Sequence, residues 1–208
     1  VVTYTGTGAN ATVGHGLGVA PQMIIIKRRD AVIGWVTYHV SVGNGSILLL
    51  NATDAAAAGN YWNSTSPTSS VFTLGTSASG ANVLNSTAVA YCFAAIPGFS
   101  AFGSYTGNGA ADGVFVWLGF RPRWLMIKRT DTTSDWWMYD TSRDTYNQTN
   151  ALLYADLSSV ENTSGTNHQD ILSNGFKLRD SGAGDNVSGG TYIYAAFAEN
   201  PFKYSRAR

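Results

Sequence analysis

The sequence predicts an all-β protein of two tandem β-sandwich, jelly-roll-like domains, residues 1–103 and 104–208. Three observations carry this. Short β-branched and aromatic runs recur between Gly/Ser/Asn-rich turns, the pattern of a sandwich. No stretch sustains a 3.6-residue apolar stripe with caps. The chain also repeats itself, since Tyr4-Thr5-Gly6-Thr7-Gly8 returns as Tyr105-Thr106-Gly107-Asn108-Gly109.

The repeat fixes the organisation. Leu17-Gly18, Pro21, Lys27-Arg28 and Asp30 return 101 residues later as Leu118-Gly119, Pro122, Lys128-Arg129 and Asp131. Trp35 and Tyr38 return as Trp136 and Tyr139 at the same spacing. The spacing then becomes 104, pairing Phe72 with Phe176, Leu74 with Leu178, Phe93-Ala94 with Phe197-Ala198 and Pro97 with Pro201. The second copy has therefore gained three residues, and the boundary falls near Gly103-Ser104.

Taken in order, the strands follow from side-chain type. Met23 to Arg28 is a β-branched run after a proline, and Trp124 to Arg129 is its counterpart. Trp35 to Val40 and Trp137 to Thr141 alternate apolar with polar. Ala55 to Ala58 has the composition of a helical turn, cut off at once by Gly59. Val71 to Leu74, Val89 to Ala95 and Tyr192 to Ala198 complete the set, giving six or seven strands per copy. Gly6, Gly8, Gly107 and Gly109 open no helix and so read as turn or bulge glycines rather than a phosphate cradle.

Composition narrows the function. Lys plus Arg and Asp plus Glu both total 13 in 208 residues, a net charge of zero, which argues against a nucleic-acid partner. No apolar run approaches a membrane span. The lone Cys92 has no internal disulfide partner, and in Val-Ala-Tyr-Cys-Phe-Ala it reads as a buried, inert thiol. Residues 1–104 carry only Lys27, Arg28, Arg29, Asp30 and Asp54. A copy so poor in charge suits burial in an assembly, with the charged second copy facing solvent. The chain opens on Val1 inside a Tyr/Thr/Gly pattern, as a fragment or processed product does.

The search for catalytic chemistry is negative. There is no HExxH, CxxC or GxSxG motif. His15 sits in a turn-like stretch, and the 101-residue spacing makes Val116 its equivalent. The acids Asp131, Asp135, Asp140 and Asp144 read as a solvated loop face. Asp30 and Asp131 read as turn formers. Asp180 to Asp185, with Gly182 and Gly184, has donors for a hard cation but not the calcium-loop pattern, so no metal or cofactor is assigned. The Asn-x-Ser/Thr triplets, Asn186 among them, follow from composition. Aromatics are the informative set. Trp136 and Trp137 are adjacent in a strand and face opposite ways, which predicts that one is exposed. Trp136, Trp137 and Asp140 are therefore the candidate ligand-binding residues, as a platform for sugar rings.

Several motifs are shared with one family. The stretch Gly14-His15-Gly16-Leu17-Gly18-Val19-Ala20-Pro21 to Asp30, with Pro67 to Phe72, Val89 to Ala94, Phe102 to Gly109 and Thr191 to Phe202, resembles a repeat domain of tailed-bacteriophage virion proteins, common in marine and cyanobacterial phages. The resemblance covers both copies and brings no catalytic residues with it. It implies a non-enzymatic virion protein, a tail- or capsid-fibre-like appendage that joins other virion proteins as a homo-oligomer and contacts host surface glycan. A capsid decoration or cement protein without a receptor is the alternative. A glycan-degrading enzyme is the third reading, and copy one hardly has the carboxylates for it.

Overall fold

The run Met-Ile-Ile-Ile-Lys-Arg forms a strand because β-branched side chains suit a pleated, half-buried surface. The rest of the first copy is arranged about it. The computed structural model describes residues 1–76, 80–164 and 168–201. The chain divides into two units, Val1–Ala94 and Ala95–Arg208. Among the described residues every regular element is a strand.

The first unit contains β1 (Val2–Thr5), β2 (Ala11–Gly14), β3 (Met23–Arg28), β4 (Val36–His39), β5 (Ser46–Leu49), β6 (Ala57–Ala58), β7 (Val71–Leu74) and β8 (Thr87–Phe93). One sheet has the order β1-β8-β3-β4-β5-β6, and β2 pairs with β7 in a second. All pairings are antiparallel. The core contains Ile24, Ile26, Val36 and Tyr38 from the large sheet and Phe72 and Leu74 from the small one, with Trp62 between them in sequence. Trp62 is 1% exposed, meets Tyr38 edge-on at 5.4 Å and donates its indole N–H to the Ser46 carbonyl. Fully burying each such side chain stabilises by about 1.5–3 kcal/mol.

The second unit contains β9 (Ser100–Thr106), β10 (Phe115–Trp117), β11 (Pro122–Arg129), β12 (Trp136–Asp140), β13 (Leu153–Tyr154), β14 (Gln169–Leu172), β15 (Gly175–Leu178) and β16 (Thr191–Ala198). The large sheet runs β13-β12-β11-β16-β9 and the small one β10-β15-β14. Its core joins Leu125, Ile127, Tyr192 and Ala196 of the large sheet to Val116, Ile171, Phe176 and Leu178 of the small one. Each unit is thus sandwich-like.

Strand order and register recur between the units. Ile24 faces Cys92 and Leu125 faces Ala196. Tyr4 faces Ala88 and Tyr105 faces Tyr192. The small sheets shift one expectation. Val13 pairs with Phe72 as Val116 pairs with Phe176, so Val13 is the equivalent of Val116. The equivalent of His15 is then Leu118, because their amides donate to the matching carbonyls of Ser70 and Asn174. Extra residues between Gly109 and β10 move the register there.

Three further expectations change. The division falls at Ala94/Ala95, whereas 103 and 104 lie inside β9, which pairs along its length with β16. Ala57–Ala58 is a short strand against β5 rather than part of a helical turn, since its backbone finds partners across Ser46 and Ile47. Each unit has eight described strands, the extra ones being short edge pieces such as β6 and β13.

Candidate functional site

Strand β10 lies on the edge of the small sheet in the second unit and alternates exposed, buried, exposed. Val116 enters the core, so Phe115 and Trp117 both point outward. Phe115 is 43% exposed and Trp117 is 67% exposed. Gly175 stands opposite Trp117 and presents no side chain beside the indole. The indole rests over Gly119, where a Cβ would lie 3.2 Å from the ring.

Charged groups border the aromatic pair. Lys177 stands opposite Phe115, and Asp170 stands opposite Lys177 on β14. Residues paired across a ladder share a face. Asp112 receives Lys177 at 3.0 Å and Arg179 at 3.1 Å, and Arg179 also reaches Asp170 at 2.6 Å. The Lys177 hydrogen bond draws the Asp112 carboxyl below its ordinary range. On the other side of Trp117, Ile96, Pro97, Phe102, Leu118 and Gly119 help line an apolar cleft of about 470 Å³. The arrangement offers an apolar ring rimmed by hydrogen-bonding charges. The first unit has Thr12 and Gly14 at the matching places, so it lacks this feature.

The structure does not bring Trp136, Trp137 and Asp140 together as a platform. Trp136 is 1% exposed and Trp137 is 7% exposed, so neither is the exposed ring that alternation predicts. The tryptophans do face opposite ways, but β12 is buried on both faces there. Trp137 packs with Tyr139, Leu152 and Tyr154, and Gly184 lies directly on its ring. Asp140 is half-buried and binds Arg143, which also reaches Glu161, while its Oδ1 accepts the Ser142 and Arg143 amides. Two of the other loop acids have separate local partners. Asp131 pairs with Arg129, and Asp144 accepts the amides of Asn150 and Ala151. A signal for Phe115 and Trp117 was present in the repeat, because the 101-residue spacing sets Gly14 and Gly16 against them.

A second feature is internal. Asp185 is fully buried, and its equivalent in the first unit is the fully buried Ala81. The equivalence is fixed by Tyr105, which donates to the Asp185 carbonyl at 2.8 Å as Tyr4 does to that of Ala81 at 2.6 Å. The neighbouring Asn186 and Asn82 also match, each accepting a backbone amide, from Asn108 and Thr7 respectively. Asn186 is wholly buried, so its glycosylation triplet is inaccessible. Asp180 accepts Gly182 N at 2.6 Å and His168 N at 2.9 Å. Gln169 places its amide N–H 3.5 Å from Asp185 Oδ2. Asp185 Oδ1, Gln169 Oε1 and the Tyr139 hydroxyl have no hydrogen-bond partner. Burial, then the adjacent Asp180 carboxylate, push the Asp185 carboxyl well above its ordinary range.

Fold and site together define an all-β, sandwich-like protein with an outward aromatic pair on one unit and a buried carboxylate pair, Asp180 and Asp185, in the same unit. The chain belongs to the family described as Domain of unknown function (DUF7483), whose model matches residues 1–201. No curated protein and no solved structure matches it.

Proposed function

We propose that the protein is a non-enzymatic bacteriophage virion protein, a tail- or capsid-fibre-like appendage whose second unit contacts host surface glycan through Phe115 and Trp117. The virion setting rests on the motif resemblance. The glycan contact rests on one observation, the 67% exposed indole of Trp117 lying over Gly119 beside the Asp112, Lys177 and Arg179 ion pairs. A sugar ring has an apolar face and a rim of hydroxyls, and both have a counterpart here. Leaving so large an apolar side chain in water brings the fold no burial energy, which is the argument for a ligand. The separate local partners of Asp131, Asp140 and Asp144 support the non-enzymatic reading. The charge-poor first unit suits contact with neighbouring virion proteins or a second copy of the chain.

The second reading, a decoration or cement protein, is favoured by the apolar cleft beside Trp117, whose lining suits a protein segment as well as a sugar. Labelled protein is applied to host cells and, separately, to virions stripped of appendages. Saturable binding to cells, competed by host polysaccharide and weakened at least about tenfold by Trp117→Ala, supports the glycan reading; tenfold is about 1.4 kcal/mol. Binding confined to stripped virions overturns it in favour of decoration.

A further inference from the structure

We propose that the second unit binds one calcium ion between Asp180, Asp185 and Gln169. The first unit shows that the fold does not need this acid, since Ala81 fills the same fully buried place under the same tyrosine contact. A buried carboxylate is costly unless it is paired or coordinates a cation. Among the described residues no arginine or lysine pairs with Asp180 or Asp185.

The two carboxylates border one space. A Cβ on Gly182 would lie 2.8 Å from Asp180 Oδ1 and 3.6 Å from the unpartnered Asp185 Oδ1, so this glycine keeps open a small space that both carboxylates border. Gln169, itself fully buried, sits on Asp185 with its carbonyl oxygen unpartnered. That is an independent sign of a ligand, because a buried amide oxygen ordinarily has a donor or an ion. All these donors are oxygen, the preference of a hard cation. Two carboxylates balance a divalent charge. Calcium accepts irregular sets of carboxylate, amide and backbone oxygens, whereas magnesium demands near-octahedral geometry. The described residues hold no group of three or more His, Cys, Asp or Glu side chains suited to a metal, so the site depends on Gln169 and on neutral oxygens. Two carboxylates place its affinity toward the weak end for calcium modules, with a dissociation constant of about 10⁻⁴–10⁻³ M.

The test uses the full chain at pH 7.5, stripped with EGTA and then titrated with calcium chloride. Expected are one ion per chain by equilibrium dialysis and a saturable rise in melting temperature of about 4 °C or more. Both are lost in Asp185→Asn and in Asp185→Ala, the latter restoring the residue of the first unit. Wild-type protein that retains no calcium and melts alike in EGTA and in calcium overturns the proposal. Calcium binding undiminished in both variants overturns it too, by removing the ion from this site.

Discussion

Gly184 lies against the indole of Trp137 so closely that a Cβ built on it would sit 1.7 Å from Cζ2 and 2.2 Å from Cη2. The loop that carries Asp185 is therefore also the cover that removes Trp137 from solvent. Aromatic rings held by Leu152 and Tyr154 have little room to retreat. Gly184→Ala is expected to destabilise the protein by about 2–3 kcal/mol, in the range of an overpacked core. Urea denaturation read by tryptophan fluorescence checks it. An unchanged midpoint would mean that the loop does not pack on the ring.

Trp117 and Trp137 are expected to respond oppositely to truncation. Trp137→Ala empties a core position and should cost about 3–5 kcal/mol. Trp117→Ala removes a side chain that is 67% exposed and should change stability by no more than about 1 kcal/mol. Thermal melts of the two variants distinguish a core tryptophan from a surface one. A large loss of stability in Trp117→Ala would make its ring structural and would undercut the ligand reading.

Much of the fold was legible because repeat and strand signals coincide. The two spacings make Ile24 equivalent to Leu125 and Cys92 to Ala196, and the structure pairs each of them across the same two strands. The β2/β10 equivalence was not legible. Residues are added before β10 and removed after it, so Leu17-Gly18 and Leu118-Gly119 align in sequence while Val13, not His15, takes the place of Val116. The site was harder still. Alternation correctly sends Trp136 and Trp137 to opposite faces, but covering a face is a long-range event. Nothing near Trp137 in sequence announces that Gly184 will lie on it. For Asp185 the chain itself held a clue, since the repeat places Ala81 there, yet only the fold reveals that the position is fully buried.

Cys92 is partly buried on β8, and desolvation pushes its thiol up to about 11. At pH 8 only about one molecule in a thousand then carries the reactive thiolate, against about one in four for a free cysteine. Labelling by a disulfide reagent is expected to be slow in the native protein and complete at once in strong denaturant. Equal rates in the two conditions would mean an accessible thiol and would contradict the placement of Cys92 opposite Ile24.

The Arg129–Asp131 pair sets an acid limit on one turn of the second unit. Arg129 grips Asp131 with two hydrogen bonds of 2.9 Å, and the Asp131 carboxylate also accepts Thr191 N at 3.2 Å. The guanidinium hydrogen bonds, opposed in part by desolvation, draw the carboxyl down to about 2. An unfolded aspartate titrates near 4, about two pH units higher. The folded value is the lower one, so the stabilisation is fully present above pH 4 and is lost as pH falls through 2. The pair is more than a third exposed on the Asp131 side, and solvent screening limits its contribution to about 1 kcal/mol or less. Wild type and Asp131→Asn are expected to differ by that amount in urea midpoint stability from pH 5 to 7, and the gap should close between pH 4 and 2. A gap that persists at pH 2 would show that the aspartate acts through its shape and the Thr191 contact rather than through its charge.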